Sequence, residues 1–265
     1  MFSFNLVLTE LCNARCSHCY MSDENKSHKK TMTKDDLECI IKKFPADTKQ
    51  VVFTGGEIFL VKDLLHFAIK KTRELNKNVE IGLESNGIYL YNNMKNAKDE
   101  FEKLKQLGAD FIRFSDDEFH TAGGVDLEKV RKLKELESNE TPRIKFLVQS
   151  DAVAIGKAKN LPKAKIAKKN CMNNSETPSN PYLFLDVDAN VFICTWKCAP
   201  SVGNLIDESF ETICARLNEK FNRLILAGNI EQAIDFKFGK LNESIEFSNQ
   251  FGQCMLCDKY FNKEI

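Results

Sequence analysis

Short apolar runs alternate with amphipathic stretches over the first two-thirds of this chain, and that alternation narrows the fold more than any other feature. The runs at residues 4–8, 50–53, 79–84, 111–115 and 144–148 read as strands. Between them, helical spacing produces apolar faces: Leu37, Ile40, Ile41 and Phe44; then Leu64, Leu65, Ala68, Ile69 and Leu75; then Phe101, Leu104 and Leu107, stopped by Gly108; then Val130, Leu133 and Leu136. Thr33, with Asp36 three residues on, is a helix start signal. Alternation of this kind predicts an α/β fold with a parallel sheet and helices packed outside it. Ligands of such folds gather at the carboxyl ends of the strands. The pattern changes near residue 157, where Lys and Ala dominate and then give way to Asn, Ser and Pro; the boundary is expected near Leu161. Beyond it, residues 182–187 and 191–194 read as a hairpin around Asp188-Ala189-Asn190. Residues 210–226 read as one helix, and residues 231–250 fit no single period.

The chain has 265 residues, enough for one large domain or two smaller ones. Its 43% hydrophobic and 29% charged residues are ordinary for a globular protein. With 38 basic and 38 acidic residues the formal charge is zero, so nothing draws it to nucleic acid or an anionic membrane. It has neither an apolar run of spanning length nor a secretory signal, which predicts a cytoplasmic location. Ten cysteines in a reducing compartment point to metal ligation or thiol chemistry rather than disulfides. Cys39 and Cys214 sit in helical segments and read as small buried apolar residues. The others fall into two groups, one at residues 12–19 and one at residues 171–257.

Cys12, Cys16 and Cys19 follow the first strand with the spacing C-x3-C-x2-C. A loop this tight can present three thiolates to one cluster and leave one iron of a cubane open to a ligand. A zinc site completed by His18, or part of a ferredoxin-type cluster, are the other readings of the same residues. The spacing resembles that of the radical S-adenosylmethionine (SAM) superfamily, and His18 holds the usually aromatic position whose ring contacts adenine in that family. The resemblance implies a partial (β/α)6 TIM-like barrel, a [4Fe–4S] cluster that binds SAM, and one-electron cleavage to a 5′-deoxyadenosyl radical. It also implies an external electron donor of flavodoxin or ferredoxin type.

Three further segments match in order. Thr54-Gly55-Gly56-Glu57 resembles the family's GGE motif; Gly55 and Gly56 would let backbone approach a ligand, and the Glu57 carboxylate suits the methionyl ammonium. Glu84-Ser85-Asn86-Gly87 resembles a TNG segment, which brings Ser85 and Asn86 to the cofactor. Ser115-Asp116-Asp117-Glu118-Phe119-His120 resembles segments near the ribose and sulfonium, with Ser115 and Asp117 as the contacts. Lys157, in Gly156-Lys157-Ala158, stands where some subfamilies carry an Arg that meets the SAM carboxylate; an ordinary surface Lys is the other reading.

The remaining cysteines are Cys171, Cys194, Cys198, Cys254 and Cys257. Cys254-Met255-Leu256-Cys257 has metal-ligand spacing and is expected on a turn. The hairpin and Gly203-Asn204-Leu205 resemble the SPASM and twitch extensions, with Asn190 where the family usually has Gly. That implies residues 1–160 as the barrel and residues 161–265 as a small cysteine-rich domain with one auxiliary [4Fe–4S] cluster. The family pattern assigns Cys171 and Cys194 as ligands, joined by Cys254 and Cys257; a structural zinc site is the alternative. Cys198 is then left over, as a further ligand, an inert thiol or a hydrogen-atom donor. The expected function is radical modification of a peptide, by crosslinking or by epimerisation with Cys198 as the donor. Radical modification of a small molecule and a non-catalytic iron–sulfur or zinc protein are the alternatives. Because the first strand starts almost at Met1, no amino-terminal peptide-recognition domain is expected.

Overall fold

The computed structural model describes residues 1–21, 29–153, 155–162 and 181–261. Five strand–helix units come first: β1 (Ser3–Thr9), α1 (Lys34–Lys42), β2 (Gln50–Gly55), α2 (Lys62–Leu75), β3 (Glu80–Ser85), α3 (Ile88–Tyr91), α4 (Met94–Leu107), β4 (Phe111–Ser115), α5 (Glu118–Thr121), α6 (Leu127–Lys132) and β5 (Arg143–Leu147). Then follow β6 (Tyr182–Leu185), β7 (Asn190–Phe192), β8 (Gly203–Asn204) and the helices α7 (Phe210–Leu217), α8 (Lys220–Leu226), α9 (Ile230–Phe238), α10 (Leu241–Phe251) and α11 (Gln253–Phe261).

The eight strands among the described residues join one sheet in the order β5-β4-β3-β2-β1-β6-β7-β8. Pairing is parallel from β5 through β1 to β6 and antiparallel from β6 to β8. This is the mixed α/β architecture expected, an open parallel sheet consistent with a partial barrel core. β1 is central and buried along nearly its whole length, because both of its edges are paired and helices cover the sheet. Thr33 caps α1 as read from sequence: its side chain accepts from Asp36 N and also bonds the Asp36 carboxylate. Gly108 ends α4 in a left-handed conformation, φ 109°.

The later helices differ from expectation. Residues 210–226 form two helices, not one, because Glu219 is extended and the Asn218 and Asn222 side chains bond back to Cys214 O and Arg216 O. Residues 231–250 lie mostly in α9 and α10, turned at Gly239. Cys254 and Cys257 lie in helix α11 and not on a turn; three residues apart, they share one helix face. In the hairpin the left-handed residue is Ala189, φ 63°, while Asn190 already belongs to β7, so no glycine is needed at position 190. The Asp186 carboxylate stabilises this turn by accepting from Asp188 N and Asn190 N. Leu75, assigned to an apolar face, is 52% exposed at the end of α2.

Candidate functional site

The Cys12–Cys19 loop leaves the carboxyl end of β1, where the fold gathers the ends of β2, β3 and β4. Gly55-Gly56-Glu57 docks on the segment that leads into it: Gly56 N donates to Thr9 O and Glu57 N to Leu11 O, at 2.8 and 2.7 Å. A Cβ on Gly56 would stand 2.2 Å from Leu11 O. The close approach that these glycines permit is therefore to the backbone of Thr9, Glu10 and Leu11, which leads into the cysteine loop. From the β4 side, Arg15 N donates to Gly123 O, and a Cβ on Gly123 would lie 2.6 Å from Cys16 N. No feature of the sequence singles out Gly123, whose partner lies more than 100 residues away.

The three thiols of the loop lie close enough to act on one another. Burial pushes the Cys16 thiol up to about 12, with contributions from Cys12, Cys19 and Asp117, and burial also raises Cys12. Crowded thiols that resist ionising together are what a cationic cluster would relieve.

Glu57, Ser85 and Asn86, expected to meet the cofactor, meet one another. The Glu57 carboxylate is fully buried and accepts from Ser85 Oγ at 2.9 and 3.0 Å, Asn86 N at 2.9 Å and Phe59 N at 3.1 Å. Burial raises it to about 7 despite these donors. A carboxylate in a dry interior takes whatever donors surround it, and here they belong to two neighbouring strand ends. Asn86 reaches on to the cysteine loop through its amide.

On the other side, His18 packs against Phe119 and His120, with ring centroids at 4.9 and 4.8 Å. Burial lowers it to about 4, with His120 adding to the effect, so its imidazole is neutral at pH 7. Asp117 caps α5, accepting from Phe119 N and His120 N, and its Oδ1 also holds His120 Nδ1 at 2.8 Å. Burial alone would raise the Asp117 carboxyl; the His120 bonds and charge overcome it and hold it low. His18 Nδ1 and Asp117 Oδ2 are buried with no hydrogen-bond partner among the described residues. One ligand atom each of His18, Asp117 and His120 lies within 4.8 Å of the others, and orphaned polar atoms in such a group fit a polar ligand. Ser115 closes β4 just before them. Lys157 N donates to Cys19 O, which brings the Gly156–Asn160 turn onto the far end of the cysteine loop. His120 and Asn13 belong to this site and were not foreseen from sequence, although His120 lay in the flagged segment.

A second thiol group forms where the hairpin meets α11. The backbone N–H groups of Trp196, Lys197 and Cys198 bond the Cys194 sulfur, as does the Cys198 thiol, and together they draw Cys194 down against its burial. The turn places Lys197 at φ 54°. The Cys198 thiol is held protonated by that bond to Cys194 and by burial, with Cys254 and Cys257 near enough to add to the shift. Cys198, expected as the spare thiol, thus stands among Cys194, Cys254 and Cys257. Cys171, expected as a ligand, lies outside the described residues.

Comparison with known proteins agrees with this geometry. Residues 6–134 match the family model described as the radical SAM superfamily. A probable GTP 3′,8-cyclase of Methanococcus maripaludis strain C5 is 32% identical over 162 residues, 57% of this chain and 51% of that protein. The GTP 3′,8-cyclase of Pasteurella multocida is 31% identical over 136 residues, 47% of this chain and 37% of that protein. The chain spans about half the length of the curated relatives it matches. Among solved structures, BtrN in complex with AdoMet and 2-DOIA superposes with TM-score 0.63 at 19% identity, covering 87% of this chain and 89% of BtrN. The enzyme anSMEcpe with bound AdoMet and the Cp18Cys peptide superposes with TM-score 0.56 at 14% identity, covering 84% of this chain and 82% of that one. Residues 6–134 thus carry a radical SAM domain, and the family implies SAM and a [4Fe–4S] cluster as its cofactors. No helix among the described residues is long and apolar enough to cross a membrane.

Proposed function

We propose that this enzyme carries out radical chemistry on a small polar molecule, and that residues 161–265 form a second unit holding one auxiliary [4Fe–4S] cluster. The observation that carries the substrate reading is the likeness to proteins of small-molecule chemistry: curated relatives named GTP 3′,8-cyclases match about half their length, and BtrN superposes over 87% of this chain. A small pocket beside His18 is walled by Tyr20, Gln149, Val153 and Trp196. Peptide crosslinking is the second reading, favoured by the fold likeness to anSMEcpe, whose structure holds a peptide. Peptide epimerisation loses its basis if Cys198 serves as a ligand.

In this reading Cys12, Cys16 and Cys19 would hold a [4Fe–4S] cluster, and the cluster with SAM would supply one-electron radical chemistry. The neutral His18 ring offers a flat face to adenine, and Gln149 holds that ring in place. Asp117 Oδ2 and Ser115 would receive the ribose hydroxyls, and Lys157 would neutralise the SAM carboxylate. Cys194, Cys198, Cys254 and Cys257 would hold the auxiliary cluster, and the backbone N–H donors around Cys194 favour its thiolate. A flavodoxin or ferredoxin in the cytoplasm supplies the electron. The test is SAM cleavage with dithionite, followed by 5′-deoxyadenosine yield across candidate nucleotides, amino alcohols and peptides. A small molecule that raises the yield and takes up the radical supports the reading; stimulation by peptides alone overturns it.

A further inference from the structure

We infer that Asn86 is a positioning residue for the radical cluster: its amide, locked by Glu57 and Ile88, donates a hydrogen bond to the Cys12 sulfur and sets the cluster's reduction potential. The inference rests on the reading of Cys12, Cys16 and Cys19 as cluster ligands.

Asn86 is fixed at three points. Its backbone N–H donates to Glu57 Oε2 at 2.9 Å. Its side-chain Oδ1 accepts from Ile88 N at 2.9 Å, which identifies that atom as the oxygen and turns the NH2 the opposite way. The Nδ2 group then donates to Asn13 Oδ1 at 2.9 Å and to Cys12 Sγ at 3.7 Å. An amide carries two hydrogens, so both contacts can be made together. The residue is 5% exposed, and water does not compete for the sulfur bond from its side.

Glu57 explains why so polar a group stays there. The buried carboxylate gathers Ser85 Oγ, Asn86 N and Phe59 N, tying the end of β2 to the end of β3. Ser85 Oγ in turn accepts from Gly87 N at 3.0 Å, closing the turn that carries Asn86. Glu57 therefore acts on the cluster through Asn86 rather than by touching the cofactor. Hydrogen bonds to ligating sulfur stabilise the more electron-rich, reduced cluster and raise its potential. Cys12 is the exposed member of its trio and the one that receives this bond.

The experiment measures the midpoint potential of the cluster whose EPR signal changes on adding SAM, in reconstituted wild type, Asn86→Asp, Asn86→Leu and Glu57→Gln. Circular dichroism and iron content are recorded for each. Both Asn86 variants should assemble the cluster with a more negative potential. Asp should shift it further, because it replaces a donor with a charge. Glu57→Gln should shift it the same way but less, and Asn13→Ala, which spares the sulfur contact, should leave it in place. If Asn86→Leu does not fold, Asn86→Asp, equal in size, decides. An unchanged potential in the Asn86 variants overturns the inference. So does loss of iron from a folded Asn86→Asp protein, since the amide would then serve assembly alone. Failure of wild type to show any SAM-responsive cluster sinks the cluster reading itself, a result distinct from either.

Discussion

The two cysteine groups of this chain solve opposite problems. Cys12, Cys16 and Cys19 lie on a loop at the mouth of the sheet, with Cys12 exposed, Cys19 half-buried and only Cys16 covered. Around them stand groups with unmet bonding capacity, His18 Nδ1 and Asp117 Oδ2. Cys198, Cys254 and Cys257 are 2%, 6% and 5% exposed, and Cys194 is surrounded by backbone N–H donors. Three thiols with one side open suit a metal group that must also bind a ligand. Thiols closed in by helix and hairpin suit one that only exchanges electrons or holds the fold.

The strongest way to break that comparison is to remove the open trio. Replacing Cys12, Cys16 and Cys19 with Ala together should abolish 5′-deoxyadenosine formation and lose one cluster, about four irons. Iron at the other group should be retained; product formation by the triple variant would falsify the assignment. A smaller effect sharpens the contrast: Cys198→Ala should lose iron from the closed group while dithionite-driven SAM cleavage without substrate continues. Full iron in that variant would return Cys198 to the role of spare thiol. The mildest concerns the frame behind the open trio. Glu57 is raised to about 7 from its ordinary 4.5. Between those values the folded state binds more protons than the unfolded state, so this contribution is fully present below about pH 4.5 and is lost as pH rises through 7. In cluster-free protein the loss should be about 3 kcal/mol, and Glu57→Gln should flatten it. Urea midpoints at pH 5 and pH 8 check it, and equal slopes in the two proteins would remove Glu57 from the account.

Much of this was readable from residues alone. The first five strands fall within one or two residues of the apolar runs, and the Thr33 cap and the Gly108 stop are in place. The cysteine loop follows β1 as its spacing implied. What misled was local pattern without its partners. The apolar period of residues 210–226 continues across Asn218 and Glu219, but side-chain bonds to Cys214 O and Arg216 O break the helix there. Cys254 and Cys257 have a spacing that suits either a turn or one face of a helix, and α11 packs against α9 and α10 as a helix.

By itself the sequence determined what depends on neighbours a few residues apart: strand period, helix faces, caps and the presentation of three thiols on one loop. Only the tertiary structure decided which groups share a bond across 28 to 74 positions, as Glu57 does with Ser85 and Asn86 does with Cys12. It joined the buried Glu57 carboxylate to Ser85 and Asn86, and it set Cys198 beside Cys194, Cys254 and Cys257. The physical reason is that burying a charge or a hydrogen-bonding group is costly without partners. Those partners exist only once β2, β3 and the hairpin lie side by side.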